Sequence, residues 1–204
     1  MNAVPGPDGR LRCPWAVSSP LYLDYHDTEW GAPVTTAAGL YERLTLEAFQ
    51  SGLAWITILR KREAFRAAFA GFDPGRVTRF GPADVDRLLA DPGIVRNRRK
   101  IEAAVANAQV VAGLGEDFAS LVLSFAPPPR PRPATLADVP ATTPESVALA
   151  QALRAAGLRF VGPTTAYALM QAVGMVDDHL TDCQVFAGGG SAAGQPAAPV
   201  AKPS

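Results

Sequence analysis

An all-α fold is predicted by three features of the sequence. Apolar residues recur at helical spacing in several segments, breaks bearing proline or glycine separate those segments, and no period-two pattern is sustained anywhere. A helix is expected over residues 37–54, with Leu40, Leu44 and Phe49 apolar and Thr35 or Thr36 as its cap. A second follows over residues 55–69, carrying Ile58, Leu59 and Phe65. Phe72-Asp73-Pro74 ends it, because proline cannot continue a helix and biases its predecessor away from helical angles. A shorter helix over residues 82–89 opens on Pro82, where the missing N–H costs little. Asp91-Pro92-Gly93 is a turn by its chemistry, and Ile101, Ala104, Val105 and Ala108 then mark a helix over residues 98–113. Residues 118–125 read as one or two further turns. The run PPPRPRP, residues 127–133, is excluded from regular helix and reads as a surface connection. Residues 146–156 form an amphipathic helix closed by Gly157, and Pro163 opens a last helix that runs to Ala172 and stops at Gly174. The stretch 11–33 reads as irregular and crowded with aromatics.

The 204 residues suffice for one domain with a substantial core and are too few for two comfortable ones. With 48% hydrophobic and 19% charged residues the chain is globular in composition. The expected organisation is a flexible extension over residues 1–10, one domain over 11–186, and a flexible low-complexity tail over 187–204. The N-terminal stretch has no apolar core that would make a signal peptide or anchor, and no apolar run approaches the ~20 residues that span a bilayer. A cytoplasmic monomer is therefore expected. The net charge of +0 gives no general attraction to a polyanion, so nucleic-acid binding would require a local basic patch. One candidate is Arg96, Arg98, Arg99 and Lys100, which follow the glycine turn at Gly93. Backbone N–H groups after that turn can hold a phosphate if they open a helix. The plainer reading is a solvated helix start.

Two cysteines and two histidines, Cys13, His26, His179 and Cys183, make up a Cys2His2 set, the usual closed ligation of structural zinc. His179 and Cys183 are four apart and share a face if their segment is helical. The plainer reading is two small buried thiols. With four protein ligands no position stays open for water, so Zn2+ would be structural. Six of the seven Trp and Tyr residues fall in the first 55 positions: Trp15, Tyr22, Tyr25, Trp30, Tyr41 and Trp55. Polar residues separate them, which favours an aromatic wall suited to a flat base over a core helix. Glu47 stands in an apolar helical stretch. If buried there it must be paired or must serve a cationic ligand.

These residues also carry a resemblance. Cys13-Pro14-Trp15, Tyr22, the run from Tyr25 to Gly31, and the run from Leu46 to Thr57 are similar to blocks of the 3-methyladenine DNA glycosylase I family. So are the runs from Gly93 to Ile101, from Phe160 to Thr165 and from Met175 to His179, in the same order. The resemblance spans residues 11–186. It implies a helix-hairpin-helix fold, a structural zinc held by Cys13, His26, His179 and Cys183, and hydrolytic removal of 3-methyladenine from double-stranded DNA. It further implies Glu47 as the catalytic carboxylate, and Tyr25 and Trp55 in the base pocket with Tyr22 and Trp30 at its edge. Gly52 and Leu53 would enter the gap left by the extracted base, and the hairpin would be Asp91 to Val95, with Gly93, Arg96, Arg98 and Lys100 toward DNA. The catalytic aspartate and lysine nucleophile of other helix-hairpin-helix glycosylases have no counterpart here. Two rival readings remain: a zinc-stabilised DNA-binding module without catalysis, and a metal-dependent hydrolase in which water replaces one of the four ligands.

Overall fold

The computed structural model describes residues 2–185. Phe186 and the tail expected at 187–204 lie outside the described residues. Nine α-helices are described: α1 (Pro20–Thr28), α2 (Ala37–Gln50), α3 (Trp55–Ala68), α4 (Pro74–Val77), α5 (Pro82–Ala90), α6 (Arg98–Leu114), α7 (Asp117–Leu123), α8 (Pro144–Ala155) and α9 (Pro163–Ala172). A two-residue antiparallel pair, β1 (Val4–Pro5) with β2 (Leu11–Arg12), is the one sheet among them. None of the described helices is long and apolar enough to cross a membrane.

Two elements depart from the sequence reading. Residues 11–33 are not irregular throughout, because α1 lies inside them. Ser19 accepts the Tyr22 N–H as N-cap and Pro20 occupies the first turn, an N-terminal signal that the aromatic crowding masks. The stretch 1–10 does not trail away from residue 4 onward. It folds back through β1 and β2, and Asp8 pairs with the buried Arg12.

The helices close around one large core. Tyr41, Phe49, Phe65, Phe69, Phe72, Ile101, Phe118, Leu153 and Met170 are among the side chains that it hides. α2 runs through the middle, packed against α3, α6, α7 and α9. Thr36 caps α2 by accepting the Gly39 N–H, and Asn97 caps α6 by accepting the Lys100 N–H. A smaller apolar cluster of Cys13, Leu180, Cys183 and Val185 joins the start of the chain to the end of the described region.

The segment after α9 is a series of turns and not a helix. The expected helical spacing of His179 and Cys183 is therefore replaced by a tight turn in which the Cys183 N–H donates to Leu180 O. The Pro-rich run is also more than a surface connection. Arg130 reaches Asp178 and the Tyr167 hydroxyl, while Arg132 donates to Asp177 and to the Cys183 and Val185 carbonyls.

Candidate active site

Tyr22 and Tyr25 stand three apart on α1 and so face one way, and the His26 ring beside them stacks on Trp30. Glu47 and Gln50 share a face at the end of α2, and Trp55 opens α3. With Trp15, Trp30, Ala168, Gln171 and Asp178 they enclose a cavity of about 440 Å³, completed by Leu136 and Val139. Tyr22, Tyr25, Trp30, Glu47 and Trp55 are thus brought together as expected from the sequence. Gln50, Leu136, Val139, Ala168, Gln171 and Asp178 are not found by that reading. Their positions carry no local signal, because the last five come from segments more than 60 residues beyond the end of α3.

The aromatic rings brace one another edge to face. Trp15 meets Tyr22 at 5.6 Å and Trp30 at 5.0 Å between ring centres, and Tyr25 meets Trp55 at 5.6 Å. Tyr22 has a second duty, its hydroxyl accepting the Ile56 N–H at 2.9 Å near the start of α3. Two polar groups in this wall are conspicuously unused. Glu47 is buried, 7% exposed, and no described residue donates a hydrogen bond to its carboxyl. Burial pushes that carboxyl up to about 8, against the opposing pull of Arg43. The indole N–H of Trp55 is buried without a partner. The Tyr25 phenol is likewise pushed up, chiefly by burial and then by the Glu47 charge. Burying such groups without partners costs stability. The cavity is therefore built for a flat ligand that brings hydrogen-bond donors or positive charge.

Behind Trp15 and Trp30 the cysteines and histidines converge. The ligand atoms of Cys13, His26 and Cys183 lie within 4.8 Å of one another, all three residues buried. His26 Nε2 is 3.6 Å from Cys183 Sγ. His179 stands outside that close trio, yet its ring centre is 4.9 Å from that of His26, and its buried Nε2 has no partner. Each imidazole is oriented from behind: His26 Nδ1 lies 2.8 Å from Asp27 and His179 Nδ1 2.8 Å from Asp177. Carboxylate support on one ring nitrogen, with the other turned to a thiol in His26 and left bare in His179, is the arrangement of metal-binding histidines. Cys13 beside it, with help from His26 and against burial, holds the Cys183 thiol below its ordinary value. Two thiols, two oriented imidazoles and an orphaned nitrogen fit a tetrahedral metal site.

The DNA-facing candidates divide. Gly52 and Leu53 sit on the turn between α2 and α3. Gly52 has φ +82°, and Leu53 is one of two exposed large hydrophobic residues among those described. The Gln50 side chain closes this turn by donating to Leu53 O. Arg96, Arg98 and Arg99 are exposed, Arg98 being paired with Asp86. Two expectations need correction. Helix α6 starts at Arg98 as expected, so the N–H groups directly after Gly93 open no helix for a phosphate, and the Gly93 N–H is already taken by the Asp91 carboxylate at 2.7 Å. Gly93 instead permits close packing, since a Cβ there would come within 2.9 Å of the Ala64 Cβ. Lys100 is not offered to a phosphate: it is buried, and its ammonium donates to Phe49 O at 2.9 Å and Ser51 O at 2.6 Å. It thereby ties down the C-terminal end of α2 and the Leu53 turn.

A second hairpin, between α8 and α9, was read from sequence only as a helix end and a helix start. Its backbone is gripped by the buried Asn107, which donates to Arg159 O and accepts from Arg159 N–H. Phe160 on this hairpin is exposed with φ +57°, a costly angle for an aromatic residue. Arg154, Arg159, Phe160, Gly162 and Thr165 share a shallow depression with Ser51 of the Leu53 turn. The two exposed apolar tips thus flank one surface.

With this geometry in view, the comparisons with known proteins are specific. The family model described as methyladenine glycosylase matches residues 15–187. This chain belongs to the methyladenine glycosylase family. Among curated members, DNA-3-methyladenine glycosylase 1 of Escherichia coli K12 is 44% identical over 182 residues, covering 87% of this chain and 97% of its own. A solved 3-methyladenine DNA glycosylase I superposes with a TM-score of 0.81 at 46% identity, covering 84% of this chain and 97% of its own. The Staphylococcus aureus enzyme, solved to explain its recognition of 3-methyladenine, gives 0.80 at 34% identity, covering 84% and 94%. The methyladenine glycosylase fold therefore frames the cavity, the cysteine–histidine cluster and both hairpins.

Proposed function

We infer that this chain is a monofunctional DNA glycosylase that hydrolyses the bond between deoxyribose and 3-methyladenine in alkylated DNA. Its family and the activity for which its relatives are named support this reading. The single observation that carries it to the residues is Glu47, buried and without a hydrogen-bond partner in an aromatic cavity.

A base inside a duplex is out of reach, so the nucleotide must rotate out of the stack at a cost of a few kcal/mol, less where alkylation has weakened pairing. N3-alkylation makes the nucleoside base cationic. A cation over the Trp55 face gains about 0.5–2 kcal/mol. Glu47 opposes the charge and accepts from the exocyclic amine, and Tyr25 and Trp55 exclude water from that contact. When the C1′–N9 bond breaks, its electron pair leaves with the base and cancels the positive charge. Water then supplies hydroxide to C1′ and loses its proton to solvent. A leaving group already cationic needs no protonation, which fits a cavity whose two carboxyl groups are Glu47 and the Asp178 held by Arg130.

Double-stranded DNA is the partner we favour, gripped by the α8–α9 hairpin and entered by Leu53. The start of α9 faces the same depression as Arg154 and Arg159, a place for a backbone phosphate. Cys13, His26, His179 and Cys183 would hold Zn2+, which would tie the N-terminal arm to the C-terminal turns and leave no position for reacting water. The decisive experiment is base release from methylated duplex DNA, resolved chromatographically. Release of 3-methyladenine with 7-methylguanine retained is expected; no release from folded protein would favour a binding module without catalysis.

A further inference from the structure

Gln171 is not a residue that the sequence singles out, yet the chain fixes which end of its amide the cavity receives. The direction is set at Arg130, because a guanidinium only donates. Arg130 donates to the Tyr167 hydroxyl and to Asp178 Oδ1. The hydroxyl, having accepted, donates its own hydrogen to Asp178 Oδ2. Asp178 is buried, 3% exposed, and paired with Arg130, so its oxygens are acceptors. The group of Gln171 that meets Oδ2, at 2.8 Å, must then be the amide nitrogen. A flipped amide would set oxygen against oxygen in a buried place. The carbonyl oxygen is the end left over, and no described residue donates to it. Gln171 and Asp178 both line the cavity beside Glu47.

We propose that Gln171 is a specificity-determining residue whose carbonyl oxygen, oriented by Asp178 as a positioning residue, selects bases carrying an amine at C6 over bases carrying a carbonyl. This rests on the glycosylase reading of the cavity. An exocyclic amine has two hydrogens, one for Glu47 and one for Gln171. A carbonyl at that position would instead face the Gln171 oxygen, acceptor against acceptor, and leave both without a donor. One such mismatch changes affinity by roughly 10- to 100-fold.

The test uses the full chain and two free bases, 3-methyladenine and 3-methylhypoxanthine, which differ at C6. Binding is followed by quenching of the cavity tryptophans, with thermal melting as a check on folding. Wild type should bind the amine-bearing base and discriminate against the carbonyl. Gln171→Met, a substitution at a half-buried site, should narrow that preference about 10-fold or more, by weakening the first and improving the second. Asp178→Asn should narrow it as well, since an amide there lets Gln171 turn over. An unchanged ratio in Gln171→Met, or a parallel fall of both affinities, overturns the proposal while leaving the glycosylase reading intact. Failure of wild type to bind either base would instead strike at that reading.

Discussion

Helix α6 and the cavity wall bury polar groups in opposite ways. On α6 the two buried polar side chains are engaged: Lys100 donates to one carbonyl at the end of α2 and one of the Leu53 turn, and Asn107 both donates to and accepts from the Arg159 backbone. In the cavity Glu47 lacks a hydrogen-bond partner and the Trp55 N–H has none. A satisfied buried group fixes structure, whereas one left bare at a cavity marks a place for something the chain does not supply. The cysteine–histidine cluster shares both traits, its imidazoles held from behind and His179 Nε2 left bare in front.

Of these groups the cysteine–histidine cluster should respond most strongly. Stripping the protein with a chelator should lower its melting temperature by 10 °C or more, because metal binding by a structural site is folding free energy. Metal analysis should return one zinc per chain. A melting curve indifferent to chelation would remove the cluster from the class of sites that wait for a ligand.

Next come the engaged groups. Lys100→Met or Asn107→Leu should each cost roughly 1–3 kcal/mol in urea unfolding, since each leaves buried backbone groups without partners. Stabilisation by either change would show that these buried groups do not hold the structure together. The smallest effect belongs to the exposed tips. Leu53→Ala or Phe160→Ala should shift stability by no more than about 0.5 kcal/mol. Each should still raise the KM for methylated duplex several-fold while free 3-methyladenine binds as before.

Those positions also show how far the sequence could be read. Seven helices follow from apolar spacing, caps and proline breaks, and α9 has its observed bounds because Pro163 and Gly174 frame it. Helix α1 escapes because its residues face two sites and a surface, so no single apolar stripe forms. The short α4 is hidden in the break that Phe72-Asp73-Pro74 makes. Glu47 and the aromatics are legible because their types are out of place locally, a carboxylate among apolar residues and rings among polar ones. Gln171, Asp178 and Arg130 are not, since their meaning lies in contacts across the fold. Lys100 misleads because its three basic neighbours are exposed, and only packing shows that this one turns inward.

The central claim is that Glu47 is kept costly to the empty protein so that it can meet a cationic base, and Glu47→Gln tests it directly. Burial raises the folded carboxyl from the ordinary 4.5 to about 8. The sign follows: stability is whole below about pH 4.5 and is lost as pH rises to about 8, because over that range the unfolded carboxyl ionises while the buried one stays protonated. The amide does not titrate. Melting of both proteins across pH 5–8.5, beside single-turnover release of 3-methyladenine, should show the variant more stable at high pH by roughly 5 °C. Its release rate should fall by roughly 10- to 100-fold. A variant no more stable at pH 8.5 than at pH 5, relative to wild type, and releasing base at the wild-type rate would contradict the account.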